Sequence, residues 1–419
     1  MSASGPRVIV VGGGVIGVSC AYYLARGGAH VVLVERDRIG AGASSGNAGT
    51  VSAGHPPLNR PGRVRQAISQ MLDPTSPLYI HPRFDPGLWR WLLGFARRCT
   101  WEHVEYCMEV MAPLGKDALA LFNSLIEEER MECGYRADGY YDVCMTEVGL
   151  DGARHEASII ERFGYHPEAV DGEELRRREP AFGPGVIGGV FYPEAATLNP
   201  AHFLTRLANA AERHGAEFRG SACVAEVQVE NGRVAGVELD SGEVLGGDAV
   251  VLATGPFSAR LARKVGVRLP VQPGKGYHRD VDVGPNGVPS LRVACVFNEA
   301  SVFCTPMDTF VRFAGTMEFS GMNAVLRSAR VRQLTHAARC YLPDMGTARP
   351  ISEWCGLRPM SVDGLPIVGP LGGVTGLSVA TGHGMLGLTL GPVTGQMVAH
   401  HVLGLPDSRI DALSPERFT

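Results

Sequence analysis

The sequence predicts an α/β chain in which a parallel-sheet domain, gathered from separated segments, carries a second domain built on an antiparallel sheet. Three observations lead there. The chain opens on a strand, a glycine turn, a helix and a second strand; a meander in its middle returns to an apolar strand; and its closing stretch is a strand, another glycine turn and a helix. With 419 residues the chain is longer than one hydrophobic core normally serves, which agrees with two domains.

Composition fits an ordinary globular enzyme: 45% of residues are hydrophobic, 20% are charged, and the net charge is −4. A nucleic-acid partner is excluded, because it would need a basic stripe in place of this mixed, slightly acidic surface. The 54 glycines follow no G-X-Y period and serve tight turns and close backbone approaches. Ten cysteines are scattered without a C-x-x-C pair or a grouping with histidine, so they read as reduced small hydrophobes and not as metal ligands. The start, "MSASGPRVIVVGGG", enters a strand with no charged segment followed by an apolar one, which points to the cytoplasm and not to secretion. Residues 364–406 hold no Asp, Glu, Lys or Arg, yet repeated Gly and Pro cut that stretch into a short strand and a later helix of a buried core.

The first element is read from "RVIVVGGGVIGVSCAYYLARGGAHVVLVERD": a strand (Val8 to Val11), a turn, a helix ending at Gly27-Gly28, and a strand (Val31 to Val34). The turn matches G-x-G-x-x-G through Gly12, Gly14 and Gly17, and Glu35 stands about 20 residues past the central glycine, at the end of the second strand. In that context backbone N–H groups and the helix dipole accept a pyrophosphate, while Glu35 takes a ribose hydroxyl pair. The retained acid disfavours a 2′-phosphate despite Arg36. The competing reading is a βαβ unit whose glycines only allow close packing.

Next comes "RDRIGAGASSGNAGTVSAGHPP", lean in side chains and without periodicity, as suits a loop lying against a flat ligand. It contains G-x-S-x-G as Gly42, Ser44 and Gly46, but lacks the strand before and the helix after that a serine-hydrolase elbow requires. From Arg63 to about Cys144 the pattern is helical. Within it Trp89, Trp91, Phe95 and Trp101 stand beside Arg90, Arg97 and Arg98, either as a helix packed on its neighbour or as an interfacial membrane patch.

Ala222 to Leu261 holds three strand runs joined at Asn231-Gly232 and Ser241-Gly242, then the apolar strand Ala249 to Ala253, which ends in Thr254-Gly255. "VQPGKGYHRDVDV" and the strands to about Gly315 form a further antiparallel sheet. The closing unit is a strand (Leu377 to Ala380), a glycine turn and a helix starting near Leu386. The first domain thus takes residues 1–60, 196–262 and 346–419, and the second takes 61–195 and 263–345. Between the two lies "GLRPMSVDGLPIVG", where Arg358 needs an anion if it is buried: either Asp363 or a group arriving from outside.

These pieces resemble the FAD-dependent amino-acid oxidoreductases, the group of D-amino acid oxidase and glycine oxidase, and most closely the bacterial D-amino acid dehydrogenases. The likeness rests on "VVGGGVIGVSCAYYLA", "SSGNAGTVSAG", "PGKGYH", "WCGLRPMSVDGLPIVG" and "ATGHGMLGLTLGPVTG", and it covers nearly the whole chain. It implies a Rossmann-like FAD-binding domain of the glutathione-reductase/D-amino acid oxidase type. Carried over residue by residue, Gly12, Gly14, Val15, Ile16, Gly17, Glu35 and Arg36 would hold the ADP half of FAD, with Val224 on the adenine side and Thr254 and Gly255 nearby. Ser44, Ser45, Asn47, Ala48 and Gly49 would line the flavin, and Gly382, His383, Gly384, Met385, Leu386 and Gly387 would sit at its pyrimidine edge. Arg358 would clamp a substrate carboxylate, with Tyr277 and His55 as further substrate contacts and Tyr277 and His383 as catalytic candidates. The dehydrogenases continue Lys-Gly-Tyr with serine; His278 follows here.

The implied reaction is oxidation of a small amino or imino acid by hydride transfer from Cα to flavin N5. A helix start with bare N–H groups at Gly384 to Gly387 would offset the charge gained at the ring's pyrimidine edge. No general base is obligatory if the amine enters neutral. Lys275 either interacts with a water or dioxygen near N5 or points to solvent. The implied electron acceptor is a quinone or an electron-transfer protein, with peripheral contact to the inner face of a membrane. Alternatives are an oxygen-using glycine or sarcosine oxidase, a flavin-binding subunit of a larger amine dehydrogenase, and an NAD-dependent dehydrogenase sharing only the first motif.

Overall fold

The computed structural model describes residues 5–52, 54–71, 73, 76–282 and 291–418. The chain begins with β1 (Arg7–Val11), α1 (Val15–Arg26), β2 (His30–Val34), β3 (Thr50–Ser52), α2 (Arg63–Gln70), β4 (Leu78–Ile80), α3 (Pro86–Arg97) and α4 (Trp101–Glu128). It continues through β5 (Tyr140–Cys144), α5 (Glu147–Glu161), β6 (Glu168–Asp171), α6 (Gly172–Arg178), β7 (Gly188–Tyr192), β8 (Ala195–Thr197), α7 (Pro200–Arg213) and β9 (Glu217–Arg219). The meander β10 (Val224–Glu230), β11 (Arg233–Leu239) and β12 (Val244–Gly246) leads to β13 (Ala249–Leu252) and α8 (Ser258–Lys264). Then follow β14 (Val271–Asp282), β15 (Ala294–Phe297), β16 (Val302–Pro306), β17 (Phe310–Phe319), α9 (Ser328–Tyr341), β18 (Pro350–Ser361), β19 (Ile367–Pro370), β20 (Leu377–Thr381) and α10 (Gly387–Val402).

The first sheet has the order β19-β20-β13-β1-β2-β9, with β1 parallel to both β2 and β13. Its central strands β1, β2 and β13 carry near-continuous apolar runs because both faces are covered. Val8 and Val10 enter the core shared with α1, α7 and α10, while Ile9 and Val11 enter the core shared with the meander. The helix α1 can start directly at the turn because Gly17 lets it close on the strand: a Cβ there would stand 1.9 Å from Gly12 O.

The second sheet runs β18-β14-β17-β16-β15-β5-β7-β6, with β4 added on β17. It departs from the purely antiparallel expectation, since β15 pairs parallel with β5 and β17 parallel with β4. Both β4 and β5 lie inside the stretch whose periodicity is mainly helical, and short strands among amphipathic helices leave little signal of their own. The expected domain division also shifts. Strand β18 falls in the segment assigned to the first domain, yet it pairs with β14 from Val271↔Ser361 to Val281↔Pro350 and belongs to the second sheet.

Alternation along β14 sorts its side chains into two environments. Lys275, Tyr277, Arg279 and Val281 face α9, whereas Gly274, Gly276, His278 and Asp280 face the first domain. Opposite them β17 carries an extra residue between its pairings to Tyr277 and Lys275, with Thr316 at φ 60°. This bulge reverses the alternation, so Met317 turns to the first domain and Glu318 joins Lys275 and Tyr277 on the α9 face.

Asp363 is paired with a residue 54 positions away. Arg417 Nε lies 2.8 Å from Asp363 Oδ2, and its Nη atoms bond the carbonyls of Leu413, Ser414, Leu365 and Pro366. Replacing Asp363 by Ala strips the carboxylate from a partly buried guanidinium that keeps its carbonyl partners, which costs about 1–3 kcal/mol. Thermal unfolding of Asp363→Ala is therefore expected well below wild type, and a midpoint within about a degree of wild type would show that the pair contributes nothing.

Candidate active site

A cavity of about 1320 Å³ lies between the glycine turns of the first sheet and the inner face of the second, under α2 and α3. At one end it is bounded by two helix starts whose own N-cap residues supply no side-chain hydrogen bond. Gly14 precedes α1 and Leu386 precedes α10 without a capping side chain, whereas α4, α5 and α7 are capped by Thr100, Thr146 and Asn199. An uncapped helix start inside a cavity is a site for an anion or an electron-rich ring edge. Ser44 Oγ accepts from Val15 N–H, the first of α1, at 2.9 Å, which joins the loop after β2 to the turn. Glu35 is fixed at the end of β2 by the N–H groups of Gly13 (2.6 Å) and Asp37 (3.0 Å).

Buried polar atoms on the cavity wall also await partners. His383 Nδ1, Ser361 Oγ and Thr50 Oγ1 have none among the described residues. Two uncapped helix starts, an anchored acid and orphaned hydrogen-bonding atoms fit a dinucleotide that carries a polar ring.

The structure redistributes several expected contacts. Val15, Ile16, Asn47, Ala48, Val224, Thr254, Gly255, Gly382 and Met385 border the cavity, but Gly17, Ser45 and Gly49 stand behind its wall. Arg36 lies 3.9 Å above the Phe257 ring. The N–H groups of Gly384 and Leu386 are engaged by Pro359 O and His383 O, so the open donors of α10 belong to its first turn, from Gly387. Ser44 is occupied with Val15, which leaves the G-x-S-x-G match without a nucleophile.

At the other end stands Arg358. It lies opposite Gly274 on β14, and a Cβ on Gly276 would come 2.2 Å from its guanidinium carbon. Gly276 of "PGKGY" therefore forms the floor on which the guanidinium rests, while Gly274 makes room for Met317 and Met360. Its Nη1 donates to Thr316 O at 2.7 Å, the carbonyl turned inward by the bulge. No carboxylate pairs with it among the described residues, and burial alone lowers its pKa to about 10, which leaves it charged at neutral pH. The alternative partner Asp363 belongs to Arg417.

Tyr277 borders the cavity but offers it no free hydroxyl. Alternation sends its ring to the α9 face, where its hydroxyl donates to Glu318 at 2.7 Å, and burial with that carboxylate pushes its pKa far up. Lys275 is likewise turned away and held by Glu318 at 3.0 Å, Asn323 and Val325 O, so it does not point to solvent. His383 is bonded to Thr394 Oγ1 at 2.9 Å, and burial lowers its pKa to about 3, which does not suit a general base. His55 borders the cavity with Nε2 2.9 Å from the Tyr140 hydroxyl. Close by, burial raises Asp142 to about 7, and Asn298 donates to both its oxygens. That group, and the Trp354 indole, escaped the sequence reading because only the alternation of paired strands places them on the inner face.

The sequence pattern of the FAD-dependent oxidoreductases matches residues 7–401. D-amino acid dehydrogenase from Methylobacterium nodulans is 35% identical over 420 residues, covering 98% of this chain and 99% of the relative. That from Bradyrhizobium diazoefficiens is 33% identical over 98% and 99%. Among solved structures, glycine oxidase from Bacillus cereus superposes with a TM-score of 0.77 at 23% identity, over 97% of this chain and 98% of that one. L-proline dehydrogenase from P. horikoshii gives 0.77 at 18% identity, over 99% and 98%.

Two outcomes are expected. Arg358→Ala should keep its fold and lose about two to three decades in kcat/KM, with partial recovery in Arg358→Lys, because a point charge cannot reproduce the fork. Unfolding of Arg358→Ala, or kcat/KM near wild type, would remove Arg358 from the site. The second concerns pH. His278 is lowered from 6.5 to about 4 by burial and the Arg312 charge, and His383 from 6.5 to about 3 by burial. Both bind fewer protons folded than unfolded, so the stability they contribute is present above pH 6.5 and is lost as pH falls toward those folded values, about 1.4 kcal/mol for each tenfold difference in proton affinity between the two states. The unfolding midpoint of His383→Asn should fall less steeply than that of wild type between pH 7 and 4; identical slopes would contradict the assignment.

Proposed function

The chain belongs to the family of FAD-dependent oxidoreductases, and from that premise we propose that it oxidises a small D-amino or imino acid of the D-alanine, D-proline or hydroxy-D-proline type. The electrons pass to a quinone or an electron-transfer protein in preference to dioxygen. The observation that carries the substrate reading is the Arg358 guanidinium, charged, inside the protein, facing the cavity and without a carboxylate of its own. The D configuration is supported by the names of the relatives that match over nearly the full length.

FAD, when bound, supplies the acceptor for the hydride that leaves the substrate Cα. The start of α1 and Ser44 would hold its diphosphate, Glu35 its ribose hydroxyls, and the first turn of α10 its pyrimidine edge. Arg358 holds the substrate carboxylate through two parallel N–H donors and thereby fixes which face of Cα is presented. With His383 near 3 and His55 lowered by burial, the histidines on the wall stay neutral at physiological pH and add no positive charge beside the substrate amine. The helices α2 and α3 cover the cavity and keep water from the reacting atoms.

For the acceptor, the placement of Lys275 on the α9 face supports a reaction that does not use dioxygen efficiently. Ile68, Trp89 and Leu93 are 64%, 54% and 54% exposed at the cavity mouth, on helices that also carry Arg65 and Arg90. That combination supports peripheral contact with a membrane face, from which a lipid-soluble acceptor reaches the cavity. Trp91 of the same helix packs inward and donates to Met360 O at 3.1 Å, so the packed-helix reading holds for its other side. Among the described residues no helix is long and apolar enough to cross a membrane.

Anaerobic mixing of the purified holoprotein with paired D- and L-amino acids tests the substrate reading: D-alanine or D-proline should bleach the flavin and the L-forms should not. Turnover with an artificial acceptor should exceed peroxide formation in air by at least an order of magnitude. Equal rates of the two would assign an oxidase instead.

A further inference from the structure

Three consecutive carbonyl oxygens of the loop that walls the cofactor end, those of Ser45, Gly46 and Asn47, bond to side chains of the second sheet. Arg312 Nη1 donates to Ser45 O at 3.1 Å and to Asn47 O at 2.8 Å. His278 Nδ1 lies 2.9 Å from Gly46 O, a contact that sets the neutral ring as its Nδ1–H tautomer. The other edge of the Arg312 guanidinium is bidentate on Asp280, at 2.8 and 2.9 Å, and Asp280 also accepts from Ser352 Oγ at 2.7 Å. His278 stacks on Trp354 with ring centroids 5.0 Å apart, and a Cβ on Gly46 would fall 2.3 Å from that indole. Arg312, Asp280 and His278 are all buried.

This arrangement exceeds what closing a loop requires. A buried bidentate ion pair fixes the guanidinium, and the guanidinium fixes two carbonyls that flank a third held by a stacked imidazole. With those carbonyls turned to the sheet, the N–H groups of Gly46 and Ala48 donate to no acceptor among the described residues, and both residues border the cavity. We infer that Arg312 and His278 are positioning residues for the cofactor: by holding loop 45–47 from behind, they keep the Gly46 and Ala48 N–H groups at the cavity wall as donors to the flavin ring. Such fixed donors favour the negative charge that the ring gains on reduction. The inference rests on this loop lining the flavin and is independent of which amino acid is oxidised.

The test is the midpoint potential of the bound flavin, read by dithionite titration without substrate, together with its visible circular dichroism. His278→Phe keeps the stack on Trp354 and removes the donor to Gly46. Arg312→Lys keeps a charge beside Asp280 and cannot serve both carbonyls and the carboxylate. His278→Asn restores an N–H donor. His278→Phe and Arg312→Lys are expected to retain FAD, to show a more negative potential and an altered dichroism, and to reduce about tenfold more slowly at saturating substrate, the worth of one lost hydrogen bond. His278→Asn should return toward wild type in all three. Should Arg312→Lys fail to fold, the two His278 variants decide. Wild-type potential and dichroism in His278→Phe, including the case where only thermal stability drops, overturn the inference. Because the potential is measured without substrate, a wrong substrate assignment leaves this outcome unaffected.

Discussion

A charge that cannot be removed, held inside the protein without a counter-ion, is the constraint on which the site depends. Arg358 has a carbonyl, Gly276 and the cavity around it, and no carboxylate among the described residues. The sheet achieves this by one irregularity. Had β17 run without its bulge, strand alternation would place Glu318 on the same face as Arg358, where it would neutralise the guanidinium. The bulge at Thr316 instead sends Glu318 to the α9 face, to meet Lys275, Tyr277 and Arg330, and leaves the Thr316 carbonyl for Arg358. A non-glycine residue at positive φ costs free energy, and here it separates an acid from the cation that would otherwise be quenched by it.

The two inward guanidinium groups of this sheet have opposite tasks. Arg312 is fully neutralised by Asp280 and acts through geometry, holding backbone carbonyls in place. Arg358 is left without a carboxylate among the described residues and would act through charge. The cofactor's own negative charge would be met differently again, by the N–H groups at the starts of α1 and α10.

Much of this was legible in local sequence. The first glycine turn, the meander with its Asn231-Gly232 corner and the closing glycine turn are set by residues within a few positions of one another, and Asn231, Gly232 and Gly382 do take positive φ. The two-sheet architecture followed from counting strands around those turns. What escaped depended on distant pairing. Asp363 meets Arg417 across 54 residues with no local sign of it, and β18 looks like part of the segment it adjoins until its pairing with β14 is known. The direction of Tyr277 was within reach: in "PGKGYHRD" glycines at alternate positions mark the face that must accommodate large side chains, Met317 and Met360 at Gly274 and Arg358 at Gly276, which puts Tyr277 on the other. The bulge that turns Glu318 away has the non-glycine Thr316 at its positive φ and leaves no signature in the sequence.

The most direct test of an uncompensated guanidinium awaiting a carboxylate is equilibrium binding of a carboxylate that cannot be oxidised. Titration of the oxidised holoprotein with benzoate, followed through the flavin absorption spectrum, should give a saturable perturbation that weakens by about two decades in Arg358→Met and is little changed in Asp363→Asn. Equal benzoate affinity in wild type and Arg358→Met would contradict the account.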